Sequence, residues 1–194
     1  QSSSRIVRSR RIMTHSTSPS LCYIVKPLVD MREDQSHAAK VVSQALLSEQ
    51  VTIHRKGAGW SYLSTPDGYS GWAPSNVYIE RQSPYTTNCS VARLSAHIYA
   101  IKDIEYGPAA TLPYAAKLYA LDDSDPRWLK IALPDGQECY IQKGDVAVGQ
   151  RCRTKNDLLA LSQQFLGLPY TWGGRSSFGY DCSGFAQMLY AHLG

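Results

Sequence analysis

Long apolar runs are missing from this sequence. No stretch reaches the roughly eighteen consecutive apolar residues of a membrane-spanning helix, so no membrane span is expected. The shorter apolar core of a secretory signal is missing too. Ser and Thr dominate residues 1–20 around Arg5, Arg8, Arg10 and Arg11, and no apolar stretch follows that basic start. A cytoplasmic location is the expectation, which a signal segment upstream would turn into a secreted or periplasmic one. The chain opens on Gln1, and Met13 is a candidate for the initiating residue. No Cys-x-x-Cys pair occurs among Cys22, Cys89, Cys139, Cys152 and Cys182. Their odd number and irregular spacing argue for reduced thiols rather than a zinc site or a disulfide framework. A Cys139–Cys152 bridge is the one pairing left open. No metal or cofactor is implied.

A surplus of one charge is also absent from most of the chain. The formal charge of +4 comes from the four leader arginines, because the other 16 of the 20 basic residues face 16 acidic ones. Residues 1–20 read as a disordered leader. No nucleic-acid partner is expected, although a basic arm of this kind can touch polyanions.

What is present is a set of short alternating runs between turn signals. Val51-Thr52-Ile53-His54 alternates as a half-buried strand does. Trp60–Leu63 is a second strand, and Pro66-Asp67-Gly68 closes a hairpin back to Gly71-Trp72. A helical period shows only near residues 38–47. The hairpin then recurs at an offset of 68 residues, with Trp128, Pro134-Asp135-Gly136 and Tyr140 in the places of Trp60, Pro66-Asp67-Gly68 and Trp72. Two small β-barrels of about 55 residues each follow from this repeat. They take residues 21–80 and 91–150, with 81–90 as linker.

The pattern changes after Arg153. Thr154-Lys155-Asn156-Asp157 has the form of a capping box before the helical run 158–166, with Gly167 as its C-cap and Pro169 as a stop. A Gly-rich loop spans 171–179. A second helix starts near Cys182, with Phe185, Met188, Leu189 and His192 or Leu193 on one face. The start of a helix presents free N–H groups and a partial positive charge, which favour thiolate over thiol. Cys182 is therefore a candidate acyl-transfer nucleophile, with its own N–H as an oxyanion donor and Gly184 leaving the backbone uncrowded. A buried structural cysteine is the alternative.

The run Leu166-Gly167-Leu168-Pro169-Tyr170-Thr171-Trp172-Gly173-Gly174, followed by Asp181-Cys182-Ser183-Gly184-Phe185, resembles the signature of the NlpC family of cysteine peptidases. The upstream repeat, with Gly71-Trp72, resembles bacterial SH3 domains more weakly. The resemblance implies an α+β chain of two SH3-like barrels followed by the N-terminal part of a papain-like domain at 151–194. It also implies cleavage of γ-D-glutamyl–diamino acid bonds in peptidoglycan stem peptides. By the same resemblance Cys182 is the nucleophile and Tyr170 stands beside the thiol, near the oxyanion hole. Asp181 and Ser183 hold the peptide, with Asp181 on a free α-amine. Trp172 is expected to pack. Tyr69 and Glu33 are candidates for selecting a free N-terminal L-Ala from the first barrel, with a solvated surface role as the alternative for each.

The family also needs a histidine base and a residue to orient it. His192 lies ten residues along the same helix, about 15 Å from Cys182 and roughly 80° around the axis. It is thus excluded as the base, and nothing places His37, His54 or His97 at the thiol. The base is expected from chain beyond residue 194, roughly 80–120 residues long on ordinary domain sizes. The 194 residues alone are then inert. Paired barrels acting as a non-catalytic binding module behind a peptidase remnant form the competing reading, and acyl transfer on another substrate a third.

Overall fold

A computed structural model describes residues 20–149 and 154–193. The leader arginines, Met13 and Cys152 lie outside the described residues. The first seven strands are β1 (Leu21–Ile24), β2 (Leu28–Arg32), β3 (Val41–Leu46), β4 (Gln50–Lys56), β5 (Trp60–Ser64), β6 (Ser70–Pro74) and β7 (Tyr78–Arg81). They form one antiparallel sheet ordered β3-β2-β6-β5-β4-β1-β7. Next come β8 (Cys89–Val91), β9 (Ser95–Tyr99), β10 (Ala110–Pro113), β11 (Lys117–Asp122), β12 (Trp128–Ala132), β13 (Glu138–Gln142) and β14 (Val146–Ala147). Their order, β10-β9-β13-β12-β11-β8-β14, repeats the first sheet strand for strand.

The repeated hairpin is reproduced to the residue. Strands β5 and β6 map onto β12 and β13 at the 68-residue offset, and the turn glycines Gly68 and Gly136 have φ of +90° and +83°. Only glycine adopts that region without strain. Strand β4 turns the sheet. Its first residues pair with β1 and its later ones with β5, and a register shift falls between Ile53 and Arg55. Strand β11 does the same between β8 and β12, with a shift between Ala120 and Asp122. Such bulges bend a strand and strengthen its twist. Among the described residues the edge strands β3 and β7, and β10 and β14, do not pair with each other. The ladders are therefore open seven-stranded sheets.

Each sheet carries its own core. Ile24, Met31 and Leu63 are fully buried in the first, and Leu118, Ile131 and Ile141 in the second. The helical period near residues 38–47 is overturned, because those residues contain β3. Val29 pairs with Ala45 and Met31 with Ser43, so cross-strand burial decides the conformation.

Cys139 is a free, buried thiol, so the described structure holds no bridge at that position. Burial, with a smaller contribution from Asp135, pushes its pKa up to about 11. Burial raises Cys89 and Cys22 as well. The unfolded thiol ionises first, so between pH 9 and 11 the unfolded state holds fewer protons and stability falls as pH rises. A loss of roughly 2 kcal/mol across that window is expected from Cys139. Urea titrations at the two ends of the window should show it, and Cys139→Ala should reduce the drop. An equal drop in the variant would refute the assignment.

The C-terminal segment comprises α1 (Lys155–Gln163), the two-residue strands β15 (Arg175–Ser176) and β16 (Gly179–Tyr180), and α2 (Cys182–Ala191). The capping box is present. Thr154 Oγ1 accepts from the Asp157 N–H at 3.1 Å, and Asp157 Oδ2 accepts from the Thr154 N–H at 2.9 Å. The α-helix stops at Gln163, earlier than the apolar run. Tighter turns carry the chain on to Gly167, which sits at φ +88°. Phe165 and Tyr180 form a cluster with Tyr114 of the β10–β11 turn, and Phe185, Met188 and Leu189 of α2 pack against it. No described helix is long and apolar enough to cross a membrane.

Candidate active site

Helix α2 starts at Cys182 because Asp181 caps it. Asp181 is extended, at φ −90° and ψ 178°, and its Oδ1 accepts from the Gly184 N–H at 2.7 Å. A capping carboxylate satisfies a donor that the helix leaves free. The same oxygen accepts from Ser183 Oγ at 2.8 Å, and Oδ2 accepts from the Gly173 N–H at 3.1 Å. Asp181 thus ties the Gly-rich loop to the first helical turn. Three of the roughly four acceptor positions of a carboxylate are taken, leaving about one for a ligand.

Cys182 is exposed, unlike Cys22, Cys89 and Cys139, which are buried. It lies on a groove of about 470 Å³ that also touches Tyr170, Asp181, Pro169, Phe165 and Phe185. Tyr170 is held by a bridge to Tyr180, and its side chain is open to solvent. Tyr180 is buried in the groove wall, and that burial pushes its phenol up, so it is a neutral hydroxyl. Cys182 and Tyr170, paired by the sequence motif, therefore share one groove. Ser183 is exposed on the adjoining turn.

The residues expected from the first sheet are placed elsewhere. Tyr69 lies in the β5–β6 turn, where its carbonyl accepts from the Thr65 N–H, and Glu33 follows β2, its N–H donating to the Lys40 carbonyl. Neither lines the groove with Cys182. Trp172, expected to pack, is 70% exposed, with its Nε1 donating to the Val41 carbonyl on β3 at 3.1 Å.

The four described histidines are engaged away from the thiol. His37 lies against Trp60, His54 hydrogen-bonds Ser64, and His97 hydrogen-bonds Thr111. The ring of His192 stacks on Tyr114, with Nε2 3.1 Å from its hydroxyl and Nδ1 2.8 Å from the Met188 carbonyl. Among the described residues none is hydrogen-bonded to Cys182.

Sequence reasoning missed a partly buried ion cluster beside the site. Arg175 places Nη2 3.0 Å from Glu49 Oε1, Nη1 3.2 Å from Glu49 Oε2, and Nε 2.9 Å from Asp67 Oδ2. The Asp67 contact is an ion pair without hydrogen-bond alignment. Asp67 had been readable only as a turn residue, and no local pattern pairs positions more than a hundred residues apart.

An exposed thiol on the first residue of a capped helix, beside a tyrosine in a groove, defines a candidate thiol-nucleophile centre behind two repeated β-sheets. Residues 167–194 match the NlpC/P60 family and residues 28–80 match the bacterial SH3 domain. Two curated relatives are named gamma-D-glutamyl-L-lysine dipeptidyl-peptidase. The one from Bacillus cereus is 32% identical over 82% of this chain and 52% of its own length. The one from Bacillus subtilis is 29% identical over 77% and 52%. The chain thus spans about half the length of these relatives. The crystal structure of an NlpC/P60 family protein from Bacillus cereus shares the fold, with a TM-score of 0.76 at 23% identity over 90% of this chain and 73% of that one.

Proposed function

We propose that the protein is a cysteine endopeptidase cleaving the γ-D-glutamyl–L-diamino acid bond of peptidoglycan stem peptides. The observation that carries this reading is the exposed Cys182 thiol at the start of α2, in the family-matched segment and in one groove with Tyr170. In this reading residues 21–80 and 91–150 are two SH3-like domains joined by 81–90, and 151–194 belongs to the peptidase domain. Short soluble peptides, as released in wall turnover, suit a cytoplasmic location.

The Cys182 thiolate attacks the γ-carbonyl carbon, and first-turn N–H groups of α2 stabilise the oxyanion. Collapse breaks the C–N bond, the diamino acid leaves as a protonated amine, and a thioester remains. Water then hydrolyses the thioester to the γ-carboxylate and restores the thiol. Asp181 holds the free α-amine with its remaining acceptor position, and Ser183 and Tyr170 flank the peptide. In this reading the base is a histidine beyond residue 194, which takes the thiol proton and passes it to the leaving amine. The engagement of every described histidine elsewhere favours a second reading, a non-catalytic peptide-binding module.

Mass spectrometry of the protein incubated with L-Ala-γ-D-Glu-L-Lys and with its N-acetylated form separates the two readings. The peptidase releases lysine from the free peptide at least about tenfold faster than from the blocked one, as expected when a buried polar group loses its partner. Saturable binding in calorimetry with no lysine release would leave only the module.

A further inference from the structure

We infer that Arg175 is a positioning residue that locks the nucleophile-bearing turn onto the first β-sheet. Its guanidinium has only 15% side-chain exposure, and Glu49 and Asp67 have 18% and 17%. Both carboxylates belong to turns of the first sheet, Glu49 between β3 and β4 and Asp67 between β5 and β6. Arg175 Nη1 also donates to the Gln44 carbonyl at 2.5 Å, and the Arg175 N–H donates to Gln44 Oε1 at 3.0 Å. Glu49 Oε2 in turn accepts from the Leu46 N–H at 2.9 Å, so the receiving side is itself held.

The lock reaches Cys182 through backbone. The Asp181 N–H donates to the Gly174 carbonyl at 3.0 Å, and Arg175 pairs with Tyr180 across the β15–β16 hairpin. Gly184 packs so closely on this strand that an added Cβ would stand 2.1 Å from Gly174 O and 3.3 Å from Arg175 Cα. A shift of Arg175 therefore moves the cap of α2 and the residues on either side of the thiol. Trp172 on Val41 and Gly173, whose added Cβ would meet Val41 Cγ1 at 2.9 Å, hold the same strap to the β3 edge. The first sheet is thereby part of the frame of the site, rather than a tethered appendage. A planar fork with five donors suits two carboxylates and a carbonyl at once, and a lysine ammonium does not.

The catalytic consequence rests on the peptidase reading, whereas the lock itself does not. The test compares Arg175→Gln, Arg175→Lys and Glu49→Gln in the full protein, by amide hydrogen exchange and peptide turnover. In Arg175→Gln, exchange at residues 181–184 is expected to rise by about tenfold or more, with strands of the second sheet unchanged. Arg175→Lys should restore part of the protection, because it returns one charge without the fork. Glu49→Gln should give a smaller change in the same direction, and it keeps the test alive if Arg175→Gln fails to fold. In turnover, kcat should fall about tenfold with KM little changed, the pattern for loss of geometry at the reacting centre. Protection at 181–184 within twofold of the parent in both Arg175→Gln and Glu49→Gln would overturn the lock. A parent protein without turnover but with these exchange changes would overturn the peptidase reading and leave the lock standing.

Discussion

Cys182→Ala is expected to lower kcat for L-Ala-γ-D-Glu-L-Lys by about 10⁴-fold or more, the scale on which removing a catalytic nucleophile acts. Binding should survive, because the substitution deletes one atom from an exposed position and leaves the Asp181 cap untouched. The chemical counterpart needs no substrate. Iodoacetamide added to the folded protein should label Cys182 before Cys22, Cys89 and Cys139, all three buried with their thiols raised by that burial. Peptide mapping after brief labelling reads the order directly. Equal labelling of Cys182 and Cys139 would mean that the helix start is not the open thiol described above. Turnover retained in Cys182→Ala would remove this cysteine from the chemistry altogether.

Gly184→Ala should destabilise the C-terminal segment by about 3 kcal/mol, at the upper end of overpacking costs. Two effects oppose each other at this position. Helix propensity alone favours alanine over glycine by about 1 kcal/mol. Packing opposes it, because the new methyl would lie 2.1 Å from Gly174 O and 3.1 Å from Gly174 C, both backbone atoms. A backbone neighbour cannot rotate aside, so α2 must move away from the strand, and packing outweighs propensity. Hydrogen exchange over residues 182–191 should accelerate, while both β-sheets keep their protection. Gly144→Ala serves as the control, since nothing lies within 4 Å of a Cβ there, and its effect should stay within about 0.5 kcal/mol. If Gly184→Ala protected α2 as well as the parent does, the close approach between Gly184 and Gly174 would be refuted.

Much of this architecture could be read along the chain. The offset that equates Trp60 with Trp128 also equates Gly68 with Gly136, because a tight hairpin restricts its turn residues wherever it occurs. The capping box at Thr154 and Asp157 and the start of α2 at Cys182 were legible for the same reason, since each is satisfied within three residues. The run near residue 40 misled, because Val41, Ala45 and Leu46 suit a helix face as well as a strand, and only pairing with β2 separates the two. Asp181 had a second role that its motif concealed. Its carboxylate is occupied by three donors, two of them close in sequence and the third, the Gly173 N–H, across the loop.

Properties satisfied within a few residues of their origin were settled by local chemistry. These are the turns, the caps, the repeat and the position of one sulfur at a helix start. Properties that depend on distant charges and on the open or closed state of a sheet came only from the folded chain. The pairing of Arg175 with Glu49 and Asp67, the placement of Trp172 on the β3 edge, and the separation of Tyr69 and Glu33 from the groove belong to this second group. The reason is physical. A partly buried guanidinium must find carboxylates wherever packing brings them, and no short-range preference records which ones those will be.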